Sequence, residues 1–184
     1  MSGKIFVVSG PSGVGKGTII DLARPHLKNF KQLATVTTRK PRKNGRKEKD
    51  RKFISRQKFR EMIKNQEFLE YNFYNGNYYG TPKKEVTKIL NQGKNILLEI
   101  DVNGGKKIKE QCHNQAVLIF IWANINEIKH RLIIRGQNTK EEIKERLKRA
   151  RIELKNKRYY DYEIYNQEGK PHQAALKLVK ICNQ

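Results

Sequence analysis

A glycine-rich segment, IFVVSGPSGVGKGT at residues 5–18, constrains the fold more than any other part of the chain. Residues 4–9 form an apolar, β-branched run typical of a buried strand, and 16–28 has the pattern of a helix that ends near Pro25. The segment between them fits G-x-x-x-x-G-K in the strand–loop–helix context that this phosphate-binding motif requires. Backbone N–H groups, the helix N-terminus and Lys16 would attract β- and γ-phosphates. The predicted nucleotide contacts are Gly10, Pro11, Ser12, Gly13, Val14, Gly15, Lys16, Gly17 and Thr18.

The residue after the motif lysine is usually Ser or Thr, whose hydroxyl contacts Mg²⁺. Here Gly17 follows Lys16, and Thr18 comes one position later. One interpretation is a damaged site. The interpretation favoured here is that Mg²⁺ is held mainly through water and the oxygens of the nucleotide itself, since Mg²⁺ keeps several waters in most sites. No residue is therefore predicted as a direct metal ligand.

Strand and helix patterns alternate along most of the chain. Strands are predicted at 33–38, at 95–101, 116–123 and 161–166, with a strand–turn–strand at 70–81; helices are predicted at 55–68, 83–93, 125–134, 139–157 and 171–183. This order predicts a three-layer α/β/α fold with a parallel sheet. A basic loop at 39–52 and the aromatic stretch around 33–82 break the alternation and indicate an inserted substrate lobe.

Several side chains in and after this insert could bind a second phosphate and a base. TTRKPR places Arg39 and Arg42 three residues apart, which suits bidentate binding of a phosphate. Asp101 ends an apolar strand and would lie at the ligand crevice of an open α/β sheet. Further candidates are Glu70 in FLEY, Tyr79 and Thr81 in GNYYGT, Arg135 in IIRGQ and Arg146 in KERLKRAR.

Together, SGPSGVGKGT, TTRKPR, FLEY, GNYYGT, EID, RGQ, ERL and YDYEIYN resemble the guanylate kinase family over about residues 3–183. The resemblance implies transfer of the γ-phosphoryl group of ATP to GMP in purine nucleotide metabolism. It implies a core at about 3–34, 95–124 and 158–184, a GMP-binding insert at 35–94, and a helical lid at 125–157.

The resemblance also implies roles for single residues. Glu70 and Thr81 would read the guanine edge, and Asp101 would lie near the guanine amino group or the metal-bound waters. Asn166 would lie near adenine, and Arg135 and Arg146 would close over the transferring phosphoryl group. The residues expected around the GMP phosphate are Thr35, Arg39, Arg42, Tyr79 and Arg146; those expected to be catalytic are Lys16, Arg39, Asp101, Arg135 and Arg146. No His or Cys is expected to act.

The stretch after Arg42 departs from the family pattern. It reads KNGRKEKDRKF, so Arg51 stands where the family has a tyrosine that contributes a hydroxyl to the GMP phosphate. Arg51 either contacts the same phosphate with its charge or faces solvent. Between residues 39 and 60, 12 Lys and Arg face only 2 Asp and Glu.

The chain carries 40 Lys and Arg against 18 Asp and Glu, a formal net charge of +22, so its surface attracts polyanions. A non-enzymatic module, a nucleic-acid-binding protein and a kinase for another nucleoside monophosphate remain alternatives, although no nucleic-acid-recognition motif is present. No apolar run approaches the ~20 residues of a membrane span. We expect a cytoplasmic monomer or homo-oligomer with two reduced cysteines, no membrane contact and no specific nucleic-acid partner.

Overall fold

A computed structural model describes residues 3–41, 51–74, 76–136 and 138–184. Its strands are β1 (Ile5–Ser9), β2 (Phe30–Gln32), β3 (Thr35–Thr37), β4 (Arg51–Phe53), β5 (Phe68–Tyr74), β6 (Asn77–Pro82), β7 (Asn95–Glu99), β8 (Ala116–Trp122) and β9 (Tyr162–Tyr165). Its helices are α1 (Lys16–Ala23), α2 (Arg56–Lys64), α3 (Lys83–Asn91), α4 (Val102–Cys112), α5 (Ile125–Ile134), α6 (Lys140–Leu154) and α7 (Pro171–Cys182). This is a mixed α/β fold with a mostly parallel central sheet, which confirms the predicted fold class.

The described chain forms two compact units. The insert unit comprises the first residues up to Ile5 with Asn29–Leu98 and Lys106–Ala116; the loop unit comprises Phe6–Lys28, Glu99–Gly105 and Val117–Gln184.

In the loop unit, β1, β8 and β9 are neighbouring strands in that order. β8 and β9 are parallel, with Ile119 opposite Tyr162 and Trp122 opposite Tyr165. All five residues of β1 are buried, as are most of β8, which explains why both read as continuous apolar runs in the sequence. Helix α1 packs against α7, and α5 packs against α6.

In the insert unit, β2 pairs in parallel with β7, while a second sheet has the strand order β4, β3, β6, β5. β6 is antiparallel to both neighbours and sets Tyr79 opposite Thr37 and Thr81 opposite Glu70. A small aromatic core supports this sheet, with the rings of Phe59 and Phe68 stacked at 4.4 Å between centroids. The sheet therefore holds four of the predicted GMP contacts on adjacent strands, namely Thr35, Glu70, Tyr79 and Thr81.

The structure confirms most predicted helices and strands but differs at three places. Residues 33–38 contain only the short strand β3, and a separate strand β2 precedes it. The predicted loop at 39–52 ends in β4, where Arg51 pairs with Thr35 through the backbone register. Helix α4 was not predicted at all, because the Asn103-Gly104-Gly105 sequence resembles a turn.

Within the described ranges, no helix combines the length and apolar character needed to cross a bilayer.

Candidate nucleotide-binding sites

The predicted phosphate loop joins β1 to α1 in the loop unit, and its glycines have the conformations that the motif demands. Gly10, Gly13 and Gly15 have φ angles of +144°, +88° and +94°, which side chains with a Cβ rarely adopt. A Cβ on Gly10 would lie 2.0 Å from the carbonyl oxygen of Ile121, inside van der Waals contact. The loop can therefore take this path only with glycine at these points.

Lys16 begins α1 and its ammonium group lies over its own loop. The Nζ atom donates to the carbonyl oxygens of Gly10 at 2.6 Å and Pro11 at 3.1 Å. The first backbone N–H groups of a helix have no partner within the helix and carry its positive dipole end. Together with the Lys16 ammonium, they give this loop the donors that a polyphosphate needs.

Two side chains hold the loop at Val14. Its carbonyl oxygen accepts hydrogen bonds from Arg131 Nη1 at 2.9 Å and Asn166 Nδ2 at 2.7 Å. Arg131 also donates from Nη2 to the carbonyl oxygen of Asn166 at 2.7 Å, so the three residues form a closed cluster. Asn166 is only 4% exposed, and its Nδ2 lies 2.6 Å from where a Cβ on Gly15 would be. Asn166 thus packs directly under the loop.

Asp101 follows β7 and organises the start of α4. Its Oδ1 accepts the backbone N–H groups of Asn103 at 2.9 Å and Gly104 at 3.0 Å, as a helix-capping carboxylate does. The buried Ser9 hydroxyl donates to the Asp101 carbonyl oxygen at 3.4 Å. Burial raises the pKa of the nearby Tyr160 hydroxyl to about 12, so that group stays protonated at neutral pH.

Glu153, in the last turn of α6, is a half-buried carboxyl group of the loop unit. Burial raises the pKa of Glu153 above its ordinary value, and the charge of Asp101 adds to this increase. Lys16, the Ser12 N–H and Arg149 act in the opposite sense. A carboxyl group close to the phosphate loop is unexpected, because it carries the same sign of charge as the phosphates.

The predicted lid arginines lie on separate helices of the loop unit. Arg135 is the exposed residue at the end of α5, and Arg146 is half-buried on α6. Hydrogen bonds from Asn138 and from the Thr139 N–H lower the pKa of Glu142, and the charge of Arg146 adds to this effect. Thr18 is exposed in the first turn of α1, and Gly17 precedes it.

The insert unit contains a buried carboxylate, Glu70, paired with a buried hydroxyl. Glu70 on β5 is 5% exposed and Thr81 on β6 is 0% exposed. The Thr81 hydroxyl donates to Glu70 Oε1 at 2.6 Å. Carboxylates are rarely buried unless partners satisfy them, so this pair marks a position built for polar recognition.

A cationic group lies on the same sheet. Arg51 Nη1 donates to the Thr35 hydroxyl at 3.3 Å, and its guanidinium lies 5.8 Å from the centre of the Tyr79 ring. Arg39 lies over the Phe53 ring at 5.6 Å and donates to the Lys40 carbonyl oxygen at 2.7 Å. The insert unit therefore brings Thr35, Tyr79 and Arg51 together, whereas the predicted phosphate contact Arg42 lies outside the described residues.

The oxygen donors near the phosphate loop fit a magnesium ion that arrives with its nucleotide. In the part of the chain that the structure describes, no three His, Cys, Asp or Glu side chains are placed to hold a metal ion. Hard oxygen donors in or near this segment include the carboxyl groups of Asp101 and Glu153 and the hydroxyls of Ser12 and Thr18. Mg²⁺ commonly binds through one or two protein oxygens, phosphate oxygens and water, so this sparse set suits it.

Sequence reasoning missed one residue that holds the loop, Arg131. It sits at a helical position among other charged residues, and it reaches the loop through a contact with a distant part of the sequence. No local signal distinguished Arg131, because it directly follows Lys129 and His130 in α5.

Comparisons of sequence and of structure with known proteins find the same family. The guanylate kinase family model matches residues 2–179. A guanylate kinase from Lactobacillus johnsonii is 42% identical over 165 residues, which is 89% of this chain and 81% of that protein. A guanylate kinase from Fusobacterium nucleatum is 42% identical over 179 residues, which is 97% of this chain and 95% of that protein. The crystal structure of guanylate kinase from Anaplasma phagocytophilum superposes on this structure with a TM-score of 0.79. The two sequences are 31% identical, and the match covers 99% of this chain and 85% of that protein.

Proposed function

The chain belongs to the guanylate kinase family and phosphorylates GMP, and we propose that it transfers the γ-phosphoryl group of ATP, giving ADP and GDP. We propose further that the insert at about 35–94 binds GMP, that the segments at 3–34, 95–124 and 158–184 form the ATP-binding core, and that 125–157 acts as a lid.

The buried pair of Glu70 and Thr81 is the observation that carries the choice of base. Guanine presents two adjacent donors, the N1–H and the N2 amino group, and a carboxylate can accept both. Adenine has an acceptor at N1 and would leave the buried Glu70 carboxylate without that partner. A site with such a committed polar partner discriminates strongly against the wrong base.

Glu70→Gln tests this assignment. The amide can turn a donor toward guanine's donors, so we expect GMP affinity to fall far more than ATP affinity. Calorimetric titration of each nucleotide measures both, and Glu67→Gln, at an exposed position three residues earlier, is the matched control. Unchanged GMP binding in Glu70→Gln would remove Glu70 from base recognition. An ADP-release assay with GMP, AMP, UMP and CMP should show turnover with GMP alone in the unsubstituted protein.

On the donor side, the loop N–H groups and Lys16 bind the β- and γ-phosphates of ATP. Mg²⁺, when bound with ATP, neutralises part of the phosphate charge. Phosphoryl transfer depends on positioning and charge neutralisation more than on covalent chemistry, so it needs no His or Cys nucleophile. Asn166 contributes by fixing the loop at Val14, close to where the adenosine of ATP would bind.

On the acceptor side, Arg39, Arg42, Thr35 and Tyr79 bind the GMP phosphate. Arg51 adds a charge beside Thr35 and Tyr79. Arg135 and Arg146 stabilise the charge of the transferring phosphoryl group, as arginines do in many phosphotransferases. Asp101 positions the waters around Mg²⁺ or the guanine amino group.

The reaction belongs to purine nucleotide metabolism, in which it returns GMP to the diphosphate pool. We place it in the cytoplasm because both substrates are found there, and the free thiols of Cys112 and Cys182 are consistent with a reducing compartment.

A further inference from the structure

The insert unit has a groove bordered by α2 and α3, with Val36 and Lys52 in its lining. Successive side chains of a strand point to opposite faces of a sheet, so Val36 points away from Thr35. The backbone register sets Val36 beside Lys52 and Thr35 beside Arg51. The Arg51 guanidinium lies near the Tyr79 ring, on the Thr35 side. The α2–α3 groove therefore lies on the face of the sheet that the proposed GMP contacts do not use.

The floor of the α2–α3 groove is apolar. Its apolar lining side chains are Val36, Ile54, Met62 and Pro82. Val36 belongs to the buried cluster of the insert unit, and the half-buried Ile54 and Met62 pack against that cluster. The groove has a volume of about 970 Å³, within the range of roughly 300–1,000 Å³ that is typical of small-molecule sites. An apolar ligand in this groove would remove exposed core surface from water.

The lysines around the α2–α3 groove are not neutralised equally. Lys52, from β4, forms an ion pair with Glu85, and Lys58, from α2, pairs with Glu61. Three more lining lysines come from α3, namely Lys83, Lys84 and Lys88. None of these three forms an ion pair with any residue that the structure describes. The uncompensated positive charge is therefore concentrated along the α3 side of the groove.

We propose that the α2–α3 groove binds a small amphipathic anion with one acidic group, of the class of medium-chain fatty carboxylates. The aliphatic chain lies on Val36, Ile54 and Met62, and the carboxylate faces the lysines of α3. A chain with a single charged end matches a groove whose floor is apolar and whose positive charge lies on one side. The flexible Met62 side chain adapts to apolar ligands of different shapes. Because the groove shares no residue with the proposed GMP contacts, this is a further site.

Octanoate, octan-1-ol and acetate are matched probes for the two parts of this ligand. Octan-1-ol keeps the chain without the charge, and acetate keeps the charge without the chain. Titrations followed by amide chemical shifts in NMR spectra should show the tightest binding for octanoate, with shifts at Met62, Thr87 and Lys88. The octanoate affinity should fall as salt rises, because the contact with the lysines is partly Coulombic. Saturating GMP should not displace octanoate, because GMP occupies the other face of the sheet.

Two kinds of substitution separate the charge from the floor. Lys84→Gln combined with Lys88→Gln should weaken octanoate binding about fivefold or more and leave octan-1-ol binding nearly unchanged, since an exposed ion pair contributes about twofold to fivefold. Lys64→Gln combined with Lys94→Gln removes two exposed charges outside the groove and is the matched control. Met62→Gln places a polar group in the floor and should weaken the binding of both probes. Thermal unfolding of each variant shows whether the fold is intact.

Every outcome supports or overturns the proposal. It is overturned if octanoate does not bind, or if it binds no better than acetate or octan-1-ol, the latter meaning that the groove takes an uncharged apolar occupant. Displacement of octanoate by GMP would place the anion at the GMP phosphate contacts and would also overturn it. If Met62→Gln does not fold, the pair of Lys84→Gln and Lys88→Gln decides alone, because both side chains are exposed. Unchanged octanoate affinity in that pair refutes the site.

Discussion

Arg51 shows how one side chain can alter a binding site without removing it. It replaces the tyrosine that the family pattern has at this position, yet it donates to Thr35 and lies over Tyr79, both predicted GMP contacts. A guanidinium beside a phosphate makes charge-assisted hydrogen bonds that are stronger than those of a neutral hydroxyl. We therefore expect Arg51 to compensate for the missing tyrosine by supplying charge beside Thr35 and Tyr79.

Arg51→Tyr should leave the enzyme active and change the KM for GMP more than kcat. The contact exists in ground and transition states alike, and uniform binding of this kind appears in KM. The contribution of Arg51 should also fall as salt rises, because it is partly Coulombic.

Steady-state kinetics at low and high salt measure the effect of Arg51→Tyr. Lys52→Ala, which alters the next residue of β4 and the ion pair with Glu85, is the control for removing one positive charge. A large loss of kcat in Arg51→Tyr at constant KM would contradict this account and place Arg51 in the transition state.

Lys16→Ala should almost abolish phosphoryl transfer while leaving GMP binding intact, because the phosphate loop belongs to the loop unit and the buried Glu70 to the insert unit. Loss of one well-placed phosphate contact commonly lowers the rate by ~10²–10³. Single-turnover kinetics measure the transfer step, calorimetry measures GMP binding, and the exposed Lys28→Ala serves as a charge control. Turnover near that of the unsubstituted protein would remove Lys16 from the mechanism.

Helix α4 is an element that the sequence patterns failed to predict. Two adjacent glycines near a helix start normally indicate a turn, which is why 102–112 carried no helix prediction. The structure gives another reason for Gly105: a Cβ there would lie 2.8 Å from the Tyr160 hydroxyl and 3.2 Å from Ser9 Oγ. That reason depends on residues far away in sequence, so no local pattern could contain it.

In the candidate sites, too, features set by local sequence could be predicted, whereas features set by residues far apart in sequence could not. Local motifs were enough to predict the loop at Gly10–Lys16, a helix that starts near residue 55, and the strand–turn–strand that contains Glu70 and Thr81. Strand β4 escaped prediction because Arg51-Lys52-Phe53 lacks an apolar alternation and forms only by pairing with β3. The role of Arg131 was not predicted, because a charged residue on the surface and one that holds a loop look alike in a sequence.

Gly80→Ala should destabilise the sheet of the insert unit. Its Cβ would lie 2.7 Å from Phe68 Cδ1 and 3.0 Å from Phe59 Cζ, so the stacked rings must move. Such overpacking typically lowers the free energy of unfolding by about 1–3 kcal/mol. GMP affinity should fall as well, because β6 carries Tyr79 and Thr81.

Thermal unfolding and GMP titration of Gly80→Ala measure both effects. Lys84→Ala, at an exposed position of α3, is expected to change neither. If Gly80→Ala unfolds at the same temperature as the unsubstituted protein, the rings of Phe59 and Phe68 can move aside without a measurable loss of stability.

The net charge of +22 belongs to the protein as a whole rather than to either site. Such a charge raises the local concentration of anions, including both nucleotide substrates, and it attracts larger polyanions without any recognition motif. The basic stretch at 39–60 adds to this field close in sequence to the proposed GMP contacts. We therefore expect this electrostatic attraction to assist the reaction and to cause unspecific binding of polyanionic polymers.

We expect the protein to bind DNA or RNA oligomers weakly and with no sequence preference. The logarithm of the binding constant should fall linearly with the logarithm of salt concentration, because binding releases condensed counterions from the polymer. Fluorescence anisotropy with two oligomers of equal length and composition but scrambled order measures both properties, and excess ATP with GMP tests whether polymer and substrates compete. A complex that prefers one order of bases and persists at high salt would mean that base contacts, rather than phosphate contacts, dominate. The charge would then serve a nucleic-acid-binding function in addition to catalysis.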